Sequence, residues 1–159
     1  MLETERLLLR RPALDDAADP HVLRVLGADE GDVRLVVRRW VDDWETYPLG
    51  KFLVERLEDG VVVGRVGLNY FDPQTWERSA SPGALPELGW TLAREHWGRG
   101  YATEAALAVR ALVTGERLIS LIAPDNVRSQ NVARRLGATR TETVTPSDGS
   151  EWVVWEHPR

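Results

Sequence analysis

Apolar residues recur along this chain at two spacings, and each spacing predicts one type of element. Residues 33–44 have the clearest helix pattern, because valines and tryptophans fall on one face and arginines on the other. Further helices are predicted over residues 15–26, with an interruption near Pro20, after Gly100, and over residues 126–136, where Gly137 ends the pattern.

Short runs of apolar or alternating residues predict the strands. They cover residues 2–10, 52–57, 61–70, 87–93, 118–123, 138–144 and 151–157. An Asp-Gly pair at residues 59–60 predicts a hairpin turn between the second and third of these strands. The polar residues 71–86 are predicted to form a loop. Strands and helices are mixed, with hairpins at both ends, which predicts an α/β layer fold around a mixed sheet.

Length and composition narrow the class of protein. A chain of 159 residues, 43% of them hydrophobic, is expected to form a single domain over residues 1–159. No cysteine is present, which excludes thiolate catalysis, and the three histidines lack metal-ligand spacing, so no metal site is expected. A net charge of −5 without a basic block argues against nucleic acid. No membrane-length apolar run or signal-peptide pattern occurs, so the predicted location is the cytoplasm, with no membrane partner.

A glycine-punctuated loop stands between a predicted strand and a predicted helix. Residues 95–105 read Glu-His-Trp-Gly-Arg-Gly-Tyr-Ala-Thr-Glu-Ala. Gly98 and Gly100 let the backbone approach a ligand closely, and the helix that follows begins with unpaired N–H groups. Those groups and the helix dipole favour an anion, so the loop predicts a pyrophosphate site. A simple strand-to-helix turn is the alternative.

A second motif follows the predicted strand at residues 118–123. Residues 124–138 read Pro-Asp-Asn-Val-Arg-Ser-Gln-Asn-Val-Ala-Arg-Arg-Leu-Gly-Ala, and together with residues 95–105 they resemble the GCN5-related N-acetyltransferases (GNAT). Residues 4–7 (Thr-Glu-Arg-Leu) and 87–90 (Glu-Leu-Gly-Trp) resemble the branch that acetylates the N-termini of ribosomal proteins, the RimJ/RimL-like branch. The four motifs stand in the family's order and extend the resemblance over nearly the whole chain.

The resemblance implies a fold and a cofactor site. In the family, helices flank a mixed, mostly antiparallel sheet whose central strands splay apart at a bulge, and coenzyme A occupies the cleft. Residues 97–103 would hold the pyrophosphate, and a backbone N–H near residues 90–92 would polarise the thioester carbonyl. The expected cofactor-binding residues, which include pantetheine contacts and two residues near the sulfur, are Leu92, Ala93, Arg94, Trp97, Gly98, Arg99, Gly100, Tyr101, Ala102, Thr103, Asn126 and Ser129.

Two positions depart from the family pattern. Glu95 stands where many members carry Gln or Arg, and its carboxylate is unfavourable near a pyrophosphate unless it points away or Arg94 and Arg99 offset it. Ala133 stands where many members carry a tyrosine that protonates the departing thiolate. The tyrosine acid is therefore absent, and Ser129 or water is expected to replace it.

Glu87 and Ser129 are the candidate catalytic residues. Glu87 is expected to lie on the opposite strand face from Leu88, roughly 7–13 Å from the oxyanion position at about 3.3 Å per residue. At that distance it would accept the proton of the amine through a water. The alternative is a partly buried carboxylate that pairs with an arginine. Asn126 fits a helix cap as well as a ligand role, and Glu104 fits a first-turn acid that favours the helix dipole.

These residues lead to one predicted function and one rival. The protein is expected to be an acyl-CoA-dependent N-acyltransferase that moves the acetyl group of acetyl-CoA to a primary amine by direct attack in a ternary complex. A protein N-terminus and a small-molecule amine are both open as acceptors, and the acidic balance favours a cationic one. The rival is a non-catalytic acyl-CoA-binding or regulatory module. A homodimer is compatible with the sequence.

Overall fold

The computed structural model describes residues 1–27 and 30–159 as a mixed α/β fold. Its strands are β1 (Leu2–Glu3), β2 (Leu7–Arg10), β3 (Lys51–Arg56), β4 (Val62–Phe71), β5 (Leu85–Leu92), β6 (Ile119–Ile122), β7 (Thr139–Val144) and β8 (Trp152–Glu156). Its helices are α1 (Pro20–Leu26), α2 (Glu30–Thr46), α3 (Tyr101–Arg110) and α4 (Val127–Arg135), with 3₁₀ turns at Leu14–Ala18 and Arg94–His96. Within these residues no helix combines the length and the apolarity needed to cross a membrane.

The strands form one sheet in the order β1-β2-β3-β4-β5-β6-β8-β7. Most of its pairs are antiparallel, and β5 and β6 are parallel. This confirms the predicted mixed, mostly antiparallel sheet. The chain divides into two compact units. Unit 1 contains residues 1–67 and 90–108, and unit 2 contains residues 68–89 and 109–159.

Two predicted elements differ from the observed ones. The single strand predicted over residues 2–10 is instead two antiparallel strands, because the chain turns where the Thr4 N–H donates to the Leu7 carbonyl at 2.9 Å. The helix after the glycine loop ends at Arg110, whereas the apolar spacing continued to Val113. The N–H groups that follow Arg110 bond three residues back, which tightens the chain into a turn and ends the α-helix.

Unit 1 has its hydrophobic core on one face of α2. Residues of that face and of the strand β3 are fully or almost fully buried together, among them Val33, Val37, Trp40 and Leu53. The apolar face predicted for residues 33–44 is therefore core at Trp40, as its helical spacing indicated. The predicted Asp-Gly turn joins β3 to β4, and Gly60 adopts φ +70°, which glycine tolerates without steric cost.

The one lysine of the chain is buried in this unit. Lys51 Nζ lies 3.5 Å from Asp43 Oδ2, and both residues are buried. Trp44 donates its indole N–H to the Lys51 carbonyl at 2.8 Å and packs edge-on against Phe52. The carboxylate is the partner that the ammonium group needs here, because an uncompensated buried charge costs several kcal/mol.

Unit 2 contains the antiparallel strands β6, β8 and β7. Glu87 on β5 lies opposite Ile119 on β6 in the parallel pair. Ile119, Val144 and Val154 form a buried cluster, against which Trp76 and Trp152 pack. These tryptophans come from the predicted loop and from the C-terminal hairpin, so the loop contributes side chains to the core of this unit.

A buried serine–histidine pair connects β5, β6 and the end of β8. The Ser120 hydroxyl lies 2.5 Å from the Leu88 carbonyl, to which it donates, and 2.9 Å from His157 Nε2. Since a hydroxyl carries one proton, it must accept from the imidazole, so Nε2 of His157 carries a proton. Nδ1 of His157 is buried and has no hydrogen-bond partner among the described residues. A proton at Nδ1 would be buried without an acceptor.

The burial of His157 predicts a pH-dependent stability. Burial, assisted by Arg110, lowers the pKa of His157 from 6.5 to about 4. Between these two values the unfolded chain binds a proton that the folded chain does not, so stability is lost as the pH falls from about 6.5 toward 4. We expect this residue to remove about 3 kcal/mol from the free energy of unfolding over that range. Urea unfolding at several pH values measures the loss.

A variant that does not titrate isolates this contribution. His157→Gln keeps a side-chain N–H for Ser120, and its stability should fall less between pH 7 and 4. Burial also lowers the pKa of His96. His96 is present in the wild type and in both variants, so its contribution to the pH dependence is the same in all three. His21→Gln in α1 is the matched control and should follow the wild type. If His157→Gln and the wild type lose equal stability, His157 is not the cause.

Candidate active site

The predicted phosphate loop, residues 97–103, begins with an exposed segment and ends in the first turn of α3. Gly98 and Gly100 have φ values of +75° and +82°, in the left-handed region that favours glycine. A Cβ at Gly98 would meet nothing within 4 Å, so the loop is open on that side. The first hydrogen bond of α3 runs from the Glu104 N–H to the Gly100 carbonyl. The N–H groups before Glu104 have no acceptor inside the helix and are suited to an anion.

The end of β5, just before the phosphate loop, has two backbone groups already engaged. The Leu92 carbonyl accepts from Trp97 Nε1 at 2.9 Å, and the Ala93 N–H donates to the Val63 carbonyl at 3.0 Å. Arg94 is exposed and begins a 3₁₀ turn. A pantetheine chain that pairs with this segment would therefore use its other groups or the second lone pair of the Leu92 carbonyl.

Glu95, the unfavourable residue of the loop motif, has a basic partner in α1. Its carboxylate lies 3.5 Å from Arg24 Nη1. A hydrogen bond from its own backbone, together with the charges of His96 and Arg24, holds the pKa of Glu95 below its usual value. The neighbouring His96 is buried, and that burial lowers its pKa. The negative charge of Glu95 is thus compensated by a residue outside the motif.

Glu87, the candidate base, is buried in unit 2 and is held by two N–H donors. Its Oε2 accepts from Asn69 Nδ2 at 2.7 Å, and its Oε1 lies 3.4 Å from the Leu121 N–H. A Cβ at Gly89 would lie 3.4 Å from both carboxylate oxygens, so Glu87 and Gly89 share a strand face. The carboxylate thus lies along β5 in the direction of its C-terminal end. A Cβ at Gly89 would be in ordinary van der Waals contact with it.

Asn126 and Ser129, the candidate sulfur-side residues, stand at the start of α4 in unit 2. Asn126 Oδ1 accepts from the Ser129 N–H at 3.1 Å, which confirms the helix-cap role for Asn126. This bond uses the backbone of Ser129 and leaves its half-buried hydroxyl for a ligand. Ala133, at the position of the family's tyrosine, is completely buried.

The structure separates the predicted site residues by unit. Residues 92–94 and 97–103 belong to unit 1, whereas Glu87, Asn126 and Ser129 belong to unit 2. In the ranges that the structure describes, no three His, Asp or Glu residues are grouped so as to hold a metal ion. Asn69, the partner of Glu87, was not predicted. Its signal was a polar residue in an apolar strand pattern, which is a weak one.

Comparison with known proteins identifies relatives by sequence and by structure. YkkB of Bacillus subtilis (strain 168) is 32% identical over 116 residues, or 67% of this chain, and the matched part spans 63% of its length. The crystal structure of an acetyltransferase from Agrobacterium tumefaciens str. C58 matches with a TM-score of 0.73 at 30% identity, covering 99% of this chain and 94% of that one. RimL, the ribosomal L7/L12 α-N-protein acetyltransferase, was solved with coenzyme A. It matches with a TM-score of 0.72 at 17% identity, over 98% of this chain and 94% of that one, a likeness that shows the fold alone.

A family model adds the decisive observation. The model of the acetyltransferase (GNAT) domain matches residues 6–139. That range contains the phosphate loop, the Glu87 strand and the whole of α4, so every candidate site residue lies inside it. The chain therefore belongs to the GNAT acetyltransferases.

Proposed function

We propose that this GNAT acetyltransferase moves the acetyl group of acetyl-CoA to a primary amine, at a protein N-terminus or on a small molecule. The observation that carries the proposal is the phosphate loop, in which two glycines at positive φ open directly into α3. A diphosphate suits this arrangement, because the free N–H donors and the helix dipole both favour negative charge. RimL, which shares the fold, is named as an α-N-protein acetyltransferase and was solved with coenzyme A.

The proposed cofactor contacts follow the family pattern. Residues 97–103 would bind the pyrophosphate, and the pantetheine and its sulfur would lie at Leu92, Ala93, Arg94, Asn126 and Ser129. Two features of unit 1 support the first of these assignments. Arg99 is exposed within the loop and adds positive charge. Glu95, which would oppose a diphosphate, is paired with Arg24.

The transfer is a single displacement in a ternary complex. The neutral amine attacks the thioester carbonyl carbon, a C–N bond forms, the C–S bond breaks, and coenzyme A leaves as the thiolate. Holding the two substrates together supplies proximity, and a backbone N–H near residues 90–92 would stabilise the oxyanion. An acyl-enzyme is not part of this reaction. The chain has no cysteine, and the buried Ser120 donates its proton to a carbonyl rather than to His157.

Glu87 takes the role of general base in this proposal. Asn69 and the Leu121 N–H orient its carboxylate along β5, and a water would carry the proton from the amine. Ser129 would pass a proton from solvent water through its hydroxyl to the departing thiolate, because Ala133 cannot. In the alternative, Glu87 is a structural carboxylate whose two hydrogen bonds support the strand.

The direct test is the release of free thiol from acetyl-CoA in the presence of a panel of amines that includes peptides with free N-termini. Amine-dependent release supports the proposal and names the acceptor class. Tight binding of coenzyme A without release would favour the non-catalytic module. Four further points stay predictions from the sequence. They are a single domain over residues 1–159, a cytoplasmic location, a cationic acceptor and a homodimer.

The phosphate loop predicts a charge-specific loss of coenzyme A binding. Gly98→Asp places a carboxylate where phosphate oxygens should lie, whereas Gly98→Asn has nearly the same size and also tolerates positive φ. The space around Gly98 is open, so both variants should fold. Calorimetry should show at least a tenfold weaker affinity for Gly98→Asp than for Gly98→Asn, about 1.4 kcal/mol. Equal affinities in the two folded variants would show that the phosphates of coenzyme A do not bind at this loop.

The base role of Glu87 predicts a pH-dependent loss of rate. Glu87→Gln keeps the shape and removes the basicity, so the deficit should be largest near neutral pH, at the low end of the roughly 10²–10⁴ range for general-base help. At high pH the amine loses its proton unaided, and the deficit should shrink. A deficit that is constant across pH would show that Glu87 positions groups, and no deficit would leave a purely structural carboxylate.

The hydroxyl of Ser129 predicts a separation of turnover from binding. Ser129→Ala keeps the backbone N–H that caps α4 through Asn126, so the helix should be unaffected. Turnover should fall more than the affinity for coenzyme A, because the hydroxyl would act on the leaving thiolate. Initial rates and calorimetry measure the two quantities. If both match the wild type, water alone serves the thiolate.

A further inference from the structure

Arg6 contacts the phosphate loop and the first turn of α3 from a distant part of the chain. Its Nη1 donates to the Arg99 carbonyl at 2.9 Å, and its Nε donates to Glu104 Oε2 at 2.7 Å. Its guanidinium carbon lies 4.7 Å from the centre of the Tyr101 ring. A Cβ at Gly100 would lie 3.4 Å from Nη2, so the guanidinium packs against the glycine itself. One side chain therefore touches the loop at several successive positions.

Glu104 fixes Arg6 in place. Its Oε1 accepts from the Arg6 backbone N–H at 2.9 Å and from the Thr4 hydroxyl at 2.6 Å, while its Oε2 lies 2.6 Å from Arg6 Nη2. The Thr4 hydroxyl in turn accepts from the Leu7 N–H at 3.1 Å, across the turn between β1 and β2. Nε and Nη2 thus converge on one carboxylate oxygen, a charge-assisted contact that limits the rotation of the guanidinium. The guanidinium is thus held by Glu104, by the Arg99 carbonyl and against the Tyr101 ring.

The bond to the Arg99 carbonyl sets the direction of a neighbouring donor. In a planar trans peptide, the carbonyl of residue 99 and the N–H of Gly100 point in opposite directions. Because Arg6 holds the carbonyl on its own side, the Gly100 N–H points away from Arg6. Gly100, on one side of this peptide, is a glycine with wide backbone freedom, so the peptide would otherwise rotate more easily.

We infer that Arg6 is a positioning residue, held by Glu104 and Thr4, which pre-orients the phosphate loop so that it binds the diphosphate of an acyl-CoA. The inference rests on the proposed function. Its energetic reason is that a loop ordered before binding does not lose that entropy on binding. The charge of Arg6 is already balanced by Glu104, so Arg6 acts through the backbone of the loop rather than as a ligand of the phosphate.

The test compares a probe that carries the diphosphate with one that lacks it. Coenzyme A contains the diphosphate, whereas pantetheine contains neither phosphate nor nucleotide. Arg6→Lys keeps the positive charge but cannot form the forked contact with Glu104 and reach the Arg99 carbonyl together. We expect the dissociation constant for coenzyme A to rise about tenfold and that for pantetheine to stay within about twofold. Calorimetry and competition titrations measure the two constants.

Arg10→Lys is the matched control. Arg10 lies on β2, makes a forked contact with Asp16 at 2.6 and 2.8 Å, and also donates to Glu55. The Arg10→Lys variant also loses an arginine–carboxylate contact made through two nitrogens, but this contact does not touch the phosphate loop. The ratio of its affinities for coenzyme A and pantetheine should therefore equal that of the wild type. Glu104→Gln is a second variant, which keeps the inference testable if Arg6→Lys does not fold. It should weaken the binding of coenzyme A more than the binding of pantetheine.

The outcomes separate this inference from the proposed function. If wild-type protein binds coenzyme A no better than pantetheine, the phosphate-loop assignment fails and the proposed function with it. If the wild type prefers coenzyme A and both Arg6→Lys and Glu104→Gln keep that preference, only the role of Arg6 is overturned. If the variants weaken both probes equally, the contact is a general support of the fold, and the inference is wrong.

Discussion

A glycine loop that binds an anion has to be open to solvent and yet already ordered. In unit 1 these two demands meet at the carboxylate of Glu104, which joins the turn between β1 and β2 to the first turn of α3. Through Arg6, the same carboxylate controls the carbonyl between the two glycines. Residues 97–100 of the loop are exposed, while Arg6 binds the Arg99 carbonyl. Its geometry depends on a contact between residues about a hundred positions apart.

Local pattern was sufficient for most of the fold. The apolar face of residues 33–44, the Asp-Gly hairpin turn and the Asn cap of α4 depend on neighbours within a few positions, and all three occur as predicted. The prediction of a single first strand was wrong, in part because Thr4 has a partner far away in the chain. Residues 2–10 have an uninterrupted strand pattern, but the Thr4 hydroxyl donates to Glu104 and accepts from the Leu7 N–H, and the backbone turns there.

The candidate site shows the same division. The sequence placed a phosphate loop between β5 and α3, and the positive φ values of its glycines fit that role. The partners of its charged groups could not be read from spacing, because they come from other elements. Arg24 reaches Glu95 from α1, and Asn69 reaches Glu87 from β4. The Ser120–His157 pair was missed for the same reason, since nothing local marks either residue.

The burial of Lys51 has a chemical consequence for the proposed transfer of an activated acyl group. Reactive thioesters acylate exposed lysine amines without any enzyme, and a surface amine near the cofactor would compete with the true acceptor. Here the one lysine side chain is buried beside Asp43. All the other residues of the lysine and arginine class are arginines, which carry guanidinium groups. Guanidinium stays protonated across the working pH range and is a poor nucleophile. The surface thus offers no lysine amine to the proposed acyl donor.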